Sequence, residues 1–273
     1  MTPLRFTRGH RELFALHMPA HPALSLARGV VLCNPFGQEA IRAHRFYRAL
    51  GLRLAEAGLD VLRFDYYGSG DSGGNDGEFD LDGAVLDTIA AAGLLRRHSG
   101  AQDISFIGLR LGASIAWLAS RQLPAGSTRL VLIEPVTDGV AYLESLRAAH
   151  ARTLRQIFGS RWSLDASLRE LHLPSNASEA LGFIIGDGLR RQISERLQAT
   201  APWTGASARG LLLVQDPDRY ASWPAQWGAG SLHVEASASD IDWTTNSALN
   251  TSLVPTAWVD RMRGFMLDGY GHA

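Results

Sequence analysis

The fold is decided by the stretch Asp103-Ile104-Ser105-Phe106-Ile107-Gly108-Leu109-Arg110-Leu111-Gly112. Its first five residues form a β-type run, and the small residues from Leu111 to Arg121 predict a helix. Gly108 and Gly112 bracket the junction, where a tight turn requires residues without a Cβ atom. The stretch therefore predicts a strand, a sharp turn and a helix.

The same alternation of apolar runs and helical patterns continues on both sides of this stretch. Further runs predict strands at Gly29–Cys33, Leu59–Phe64, Arg129–Ile133, Gly210–Val214 and Ser231–Glu235. Apolar residues at helical spacing predict helices at Arg42–Ala57, Leu81–Arg97 and Pro255–Met266. Strands that alternate with helices predict an α/β fold with a mostly parallel central sheet covered by helices on both faces.

The rhythm of the sequence changes after Pro135. No β-type run occurs between residues 137 and 204, where helical patterns appear at Val140–Phe158 and Ala180–Leu197. Helices inserted between two halves of one sheet form a cap. We therefore predict a core of residues 1–136 and 205–273 with a helical cap of residues 137–204.

The composition excludes several classes of protein. The chain has 273 residues, of which 46% are hydrophobic, and this predicts one large domain with a full core. All 26 basic residues are arginine, and the absence of lysine excludes Schiff-base enzymes, enzymes that hold pyridoxal phosphate on a lysine, and the phosphate-binding P-loop. A net charge of -1 gives no electrostatic footprint for nucleic acid, so no such partner is predicted.

The number of cysteines and the hydropathy of the sequence indicate in which cellular compartment the protein is expected. Cys33 is the single cysteine, which excludes an intrachain disulfide, a Cys-x-x-Cys redox pair and a cysteine-rich zinc site. Met1–Arg8 lacks the apolar stretch of a signal peptide, and no apolar run is long enough for a membrane helix. We therefore expect a cytoplasmic protein with no membrane insertion, no metal site and no cofactor.

A glycine-rich turn follows the strand predicted at Leu59–Phe64. Gly68, Gly70 and Gly73 satisfy the Gly-x-Gly-x-x-Gly pattern of dinucleotide sites. That pattern requires a helix to begin at once, so that its N-terminus faces the pyrophosphate. Here the helix is delayed until Leu81, which favours a turn without a ligand over a dinucleotide site.

Four motifs occur in one order along the chain, at Val31–Gln38, Phe46–Leu50, Val61–Asp65 and Gly68–Ser72. As a set they resemble the α/β-hydrolase fold superfamily, in its serine aminopeptidase-like and lysophospholipase-like branch. They are also similar to the bacterial hydrolases associated with exosortase systems. The resemblance implies a nucleophile elbow, a Gly-x-Ser-x-Gly turn that presents a serine above the sheet. Gly108–Gly112 occupies this place, with Arg110 at the position of the serine.

The rest of the implied catalytic triad is incomplete. The histidine is expected just beyond the last strand, but the chain from Ala236 to Trp243 contains none. Asp216 follows the strand predicted at Gly210–Val214 and stands at the position of the acid. Because a guanidinium stays protonated, Arg110 cannot attack a carbonyl, and ordinary acyl-enzyme chemistry at the elbow is excluded.

The first functional hypothesis is an anion-binding pocket in place of the nucleophile. Arg110 would stand at a helix N-terminus, where unpaired amides favour an anion. The resemblance implies an oxyanion hole formed by the Leu111 amide and the loop Phe36-Gly37, and Trp243 would lie at the mouth of the site. The ligand would be an acyl or carboxylate-type small molecule, either bound or transformed by a lyase, cyclase or transfer step.

Two alternatives remain open. Glu134 ends the strand beside the elbow strand, and an Arg110–Glu134 salt bridge would plug the site of a catalytically dead scaffold protein. A genuine esterase, thioesterase or amidase would need another nucleophile or base. The candidates for that role are Ser114, Cys33, His44, Ser69 and Ser72, none of which has a visible partner in the sequence.

Overall fold

The computed structural model describes residues 1–123, 128–172, 178–198, 208–228, 230–237, 243 and 256–268. Eight strands in this part of the chain form one sheet: β1 (Thr2–Arg8), β2 (Arg11–Met18), β3 (Arg28–Cys33), β4 (Asp60–Phe64), β5 (Asp103–Leu109), β6 (Arg129–Ile133), β9 (Arg209–Val214) and β10 (Leu232–Ala236). Their spatial order is β1-β2-β4-β3-β5-β6-β9-β10. The remaining two described strands, β7 (Glu179–Ala180) and β8 (Phe183–Ile184), form a separate hairpin.

The sheet is mostly parallel. The pairs β1–β2 and β2–β4 are antiparallel, whereas every pair from β4 across to β10 is parallel. The register pairs Cys33 with Gly108 and Leu109 with Ile133, so the loops after β3, β5 and β6 meet at one edge. This edge is where a ligand site is expected in an open α/β sheet. The predicted fold class is confirmed.

Helices lie on both faces of the sheet. Their bounds in the described residues are α1 (Gln38–Glu56), α2 (Leu81–Ser99), α3 (Leu111–Ser120), α4 (Gly139–Phe158), α5 (Ser160–Leu164), α6 (Ala166–His172), α7 (Asp187–Arg196), α8 (Trp223–Gln226) and α9 (Thr256–Leu267). Among them, none combines the length and the apolar character that a membrane crossing demands.

The core consists of two hydrophobic clusters, one on each face of the sheet. Val31 and Cys33 of β3 belong to the cluster that includes residues of α2 and α3, whereas Val30 and Leu32 belong to the cluster of α1 and α9. Every residue of β3 is buried. A strand buried on both faces is apolar at successive positions, and this explains why the central strands could be predicted from apolar runs.

The apolar runs in the sequence did not predict the N-terminal hairpin of β1 and β2. In β2, Leu13 and Ala15 are fully buried, while Glu12 between the turn and Leu13 is exposed. An antiparallel strand near a sheet edge buries only one face, so polar residues interrupt its apolar ones. The sequence therefore shows no continuous apolar run here.

The segment between β6 and β9 contains a hairpin as well as helices. The prediction of no strand in this segment, and of a helix from Ala180 to Leu197, is wrong: β7 and β8 precede α7, which begins only at Asp187. Leu181 and Gly182 have φ angles of 57° and 85°. Two successive residues with positive φ form a tight turn between two strands, so a hairpin forms here in place of a helix. The predicted cap boundary at residue 204 lies outside the described residues, so the cap of residues 137–204 stays a prediction.

A buried histidine–aspartate pair joins β2 to β4. His17 Nε2 lies 2.8 Å from Asp60 Oδ1, and the ring of His98 packs edge-on with its centroid 4.8 Å away. Burial lowers the pKa of His17 from 6.5 and outweighs the opposing effect of Asp60. The neutral imidazole is therefore favoured in the folded state more than in the unfolded chain.

We expect the free energy of unfolding to fall as the pH is lowered below 6.5, because the unfolded chain then binds the His17 proton more readily than the folded one. His17→Gln should reduce this dependence by up to about 1.4 kcal/mol per pH unit. Urea unfolding between about pH 7.5 and about pH 5.5 measures it, with His21→Gln, at an exposed histidine, as the matched control. An unchanged slope in His17→Gln would contradict the assignment.

Candidate functional site

Arg110 lies at the tip of the sharp turn between β5 and α3. Its φ is 54° and its ψ is -125°, a backbone conformation that non-glycine residues rarely adopt and that costs about 1–3 kcal/mol. The Arg110 amide donates to Ile133 O at 2.9 Å, and the Arg110 carbonyl accepts from the Ala113 amide at 3.0 Å. The turn is thus anchored on β6 and on α3, and it presents the Arg110 side chain at the carboxyl edge of the sheet.

The two glycines of this turn are required by close backbone contacts. A Cβ atom on Gly112 would lie 2.2 Å from Cys33 O, and one on Gly108 would lie 2.4 Å from Gly112 O. The turn therefore packs directly on the loop that follows β3, which carries Phe36 and Gly37. The strand, sharp turn and helix predicted from this stretch are present.

The Arg110 side chain is held by an ion pair with Glu39, in the first turn of α1. Arg110 Nε donates to Glu39 Oε1 at 2.9 Å, and a terminal nitrogen of Arg110 donates to the backbone oxygen of Glu134 at 3.2 Å. Tyr142 of α4 donates its hydroxyl to Glu39 Oε2 at 3.2 Å, and the Arg110 guanidinium lies 5.7 Å from the centre of its ring. We call Arg110, Glu39 and Tyr142 the elbow cluster.

The predicted salt bridge between Arg110 and Glu134 is wrong. Glu134 has φ 44°, and its Oε1 accepts from the Gln215 amide at 2.5 Å, so the carboxylate is directed to the loop after β9. Only its backbone oxygen contacts Arg110. Glu39 was not among the predicted site residues, because the predicted helix begins at Arg42 whereas α1 begins at Gln38. An acidic residue just after Gly37 is a typical first-turn signal that could have found it.

The elbow cluster carries no excess of positive charge. Burial by itself lowers the pKa of Arg110, but the neighbouring Glu39 carboxylate outweighs burial and the pKa is raised. Burial raises the pKa of Glu134, against the opposing effects of the Gln215 amide and of Arg110. An anion that approached Arg110 would therefore meet a guanidinium whose charge is already balanced.

Little space remains beside the elbow cluster. The cleft between Glu39 of α1 and Leu146 of α4, which Phe36 and Gly37 also line, has a volume of about 10 Å³. A volume of this size holds about one water molecule. Glu39 is 2% exposed, and the Arg110 side chain is 21% exposed. At the place where the fold implies a nucleophile, Arg110 and Glu39 thus form a largely buried ion pair.

The structure brings some of the predicted site residues together and separates others. Phe36, Gly37 and Leu111 lie beside the elbow, and Leu111 is fully buried at the start of α3. Asp216 is exposed, and its carboxylate makes no ion pair or hydrogen bond within the described part of the chain. Trp243 lies in the core against Phe46, with ring centres 5.6 Å apart, and does not stand at the mouth of the site as predicted.

The substitute nucleophiles are engaged in structural contacts. Ser114 is fully buried and donates to Val136 O at 2.7 Å, and Ser72 donates to Asp65 O at 2.6 Å. Burial raises the pKa of Cys33 to about 12, which keeps it a thiol. Ser69 donates to Tyr66 O at 2.8 Å. None of these groups has a histidine within hydrogen-bond distance in the described residues.

A larger cavity lies on the other side of the loop that follows β3. Its volume is about 430 Å³, within the range of small-molecule sites. Phe36 and Gly37 border both this cavity and the small cleft beside Glu39. Its other walls come from α1, from the end of β4, from the turn after β4 and from Phe183 of β8. We call it the side cavity. Among the residues singled out in the sequence, Phe36 and Gly37 of the predicted ligand site and the candidate nucleophiles His44 and Ser69 line it.

We expect Arg110→Met to lower the free energy of unfolding by about 3–5 kcal/mol, because Glu39 would stay buried without its cation. The double variant Arg110→Met/Glu39→Gln should lose less than the single one, since no buried charge remains. Chemical denaturation measures both, and Arg53→Met, at an exposed arginine 61% accessible, is the matched control. Strict additivity of the two changes would contradict a direct ion pair.

Gly112→Ala should destabilise the protein by at least about 3 kcal/mol or prevent folding, because the new Cβ meets backbone that cannot move aside. Gly264→Ala in α9 is the matched control, since no atom lies within 4 Å of a Cβ placed there. That change should stabilise the helix by about 0.5–1 kcal/mol. Thermal unfolding compares them, and a fully stable Gly112→Ala variant would contradict the contact with Cys33.

The comparisons with known proteins agree with this geometry. Residues 27–192, more than half of the chain, match the model of the serine aminopeptidase S33 family. A search of curated proteins returned no match. Similar solved structures include proline iminopeptidase from Mycobacterium smegmatis, with 13% identity, 97% of each chain covered and a TM-score of 0.58.

Two further structures cover 97% of this chain and 98% of their own. They are Est1E from Butyrivibrio proteoclasticus with ferulic acid bound, at 14% identity and a TM-score of 0.60, and mouse alpha/beta hydrolase domain-containing protein 10, at 15% identity and a TM-score of 0.57. At these identities the likeness shows the fold alone. Together with the match to the family model, it establishes that the chain has the α/β-hydrolase fold and belongs to the serine aminopeptidase S33 family.

Proposed function

We propose that this protein binds a small acyl or carboxylate-type molecule and does not hydrolyse it through an acyl-enzyme. The observation that carries the proposal is the ion pair between Arg110, at the tip of the elbow, and the buried carboxylate of Glu39. The fold implies a serine at that tip. A guanidinium stays protonated and has no lone pair with which to attack a carbonyl.

The absence of a general base supports the same conclusion. A serine nucleophile needs a histidine that takes its proton, and the fold implies that histidine just beyond the last strand. The sequence from Ala236 to Trp243 has none. Residues 238–242 lie outside the described residues, but their identities alone exclude an imidazole there. The two positions at which the fold implies a serine and a histidine therefore carry neither residue.

The geometry changes where the ligand is proposed to bind. The sequence hypothesis used Arg110 as the anion receptor, but Glu39 already accepts from its Nε. An anion that took this place would leave the Glu39 carboxylate, 2% exposed, buried without its cation. Such a buried charge costs about 3–5 kcal/mol. We therefore place the ligand in the side cavity and assign the elbow cluster to structure.

Fluorophosphonate labelling and the turnover of aryl esters of several chain lengths test the proposal. The protein should show neither, and Arg110→Ser should not become an efficient hydrolase, because the histidine is missing as well. A family member with a complete triad is the positive control for the probe. Heat-denatured protein controls for reaction with exposed side chains.

Stoichiometric labelling of the folded protein would overturn the proposal. Ser69 and His44 line the same side cavity, so Ser69→Ala is the variant that would locate such a reaction. Labelling that Ser69→Ala abolishes would establish an esterase, thioesterase or amidase with a non-standard nucleophile.

A further inference from the structure

One wall of the side cavity contains the guanidinium of an arginine. Arg63 of β4 lines the cavity and is partly buried. Its side chain makes no hydrogen bond and no ion pair within the described part of the chain. An arginine presents five N–H donors in a planar fork that matches a carboxylate. A partly buried arginine without an acceptor is therefore a receptor for a group supplied from outside.

The nearest carboxylate is committed to other donors. Asp65 Oδ1 accepts from the Asn34 side chain at 3.2 Å, and Asp65 Oδ2 accepts from the Asp71 amide at 3.0 Å. These bonds hold the glycine-rich turn against the loop that follows β3. Burial lowers the pKa of Arg63, and the field of Asp65 only partly offsets it. Asp65 therefore moderates the charge of Arg63 without occupying its donors.

His44 of α1 adds a second polar group to the same cavity. Burial lowers its pKa, and the neighbouring Arg63 lowers it further, so the neutral imidazole is favoured. A neutral imidazole can donate one N–H and adds no charge. His44 thus adds a hydrogen-bond donor to the cavity that holds Arg63 without adding a second positive charge.

Three phenylalanine rings also line the cavity. Phe36 packs against Phe79 with ring centres 4.9 Å apart, and against Phe183 of β8 with ring centres 6.0 Å apart. Phe36 and Phe79 are buried, and Phe183 is partly exposed. The three rings would cover the apolar body of a ligand whose charged end reached Arg63. A cavity that combines aromatic rings with a single cation favours an amphipathic anion.

The other charged side chains at the cavity favour a carboxylate ligand over an amine or a phosphate. Asp71 and Asp76 are exposed, so water and salt screen them strongly. They attract an amine weakly at the rim, and the oxygens of the partly buried Asp65 already accept from Asn34 and from the Asp71 amide. Together with Asp65 they repel a doubly charged phosphate more than a singly charged carboxylate. One guanidinium fork matches one carboxylate.

We propose that the side cavity binds an amphipathic carboxylate, with its carboxylate on Arg63 and its aromatic or alkyl body against Phe36, Phe79 and Phe183. This assignment rests on the proposed function, which it makes specific in site and ligand class. It moves the anion receptor from Arg110 on the elbow to Arg63 on β4.

Calorimetric titration of the full chain with four probes tests the assignment. Phenylacetate and octanoate carry the carboxylate, phenylacetamide is the neutral isostere, and phenethylamine is the cationic analogue. The carboxylates should bind with saturation, and phenylacetamide and phenethylamine should bind at least about tenfold more weakly, because they lack charge-assisted bonds to the guanidinium.

Variants locate the binding. Arg63→Gln should weaken phenylacetate at least about tenfold, and Arg63→Lys should fall between it and the parent because an ammonium lacks the planar fork. Arg45→Gln, at an exposed arginine of α1, is the matched charge control and should bind as the parent does. Phe183→Ala should weaken all apolar probes by a similar factor, since it removes one wall.

Three outcomes would overturn the assignment: no saturable binding of either carboxylate, equal affinity for phenylacetate and phenylacetamide, or unchanged affinity in Arg63→Gln. Binding retained in Arg63→Gln but lost in Arg110→Met/Glu39→Gln would return the anion to the elbow. The probe series on the parent protein decides the question even where a variant fails to fold. Fluorophosphonate labelling would refute the proposed function whatever the titrations show, so the two failures are distinguishable.

Discussion

The ion pair between Arg110 and Glu39 is the interaction on which the arrangement of the site depends. It joins the tip of the elbow to the first turn of α1, and Tyr142 extends it to α4. A carboxylate only 2% exposed is tolerated because a guanidinium and a phenol both donate to it. The same pair balances the positive charge that would otherwise attract an anionic ligand. One contact thus joins three elements and closes the position at which this fold presents its nucleophile.

Because Arg110 at the elbow is paired with Glu39, the cavity available to a ligand lies beside the neighbouring loop, which follows β3. Phe36 and Gly37 separate a cleft of about 10 Å³ from a cavity of about 430 Å³. In this fold the same loop is implied to stabilise an oxyanion. Here it lies between the cleft beside Glu39 and the side cavity, and Phe183 packs against Phe36. The carboxyl edge of the sheet still collects functional groups, but Arg63 replaces the elbow residue as the proposed receptor.

The central part of the fold could be predicted from the sequence because its strands are buried on both faces and so appear as unbroken apolar runs. β6 matches its predicted bounds, and β5 extends the prediction by two residues. The hairpin of β1 and β2 was missed because one polar face interrupts its apolar residues. In the cap, Leu181 with positive φ starts a hairpin that apolar periodicity cannot distinguish from a helix.

Two features that limit the possible reactions can be read directly from the sequence. An arginine stands between Gly108 and Gly112, and no histidine occurs from Ala236 to Trp243. These follow from residue type, and no packing can alter them. The partner of Arg110, in contrast, is known from the tertiary structure alone. Glu39 lies 71 residues earlier in the chain, and the pairing of β3 with β5 brings the two residues together. Contacts between residues distant in sequence depend on strand order and helix starts, which local patterns do not encode.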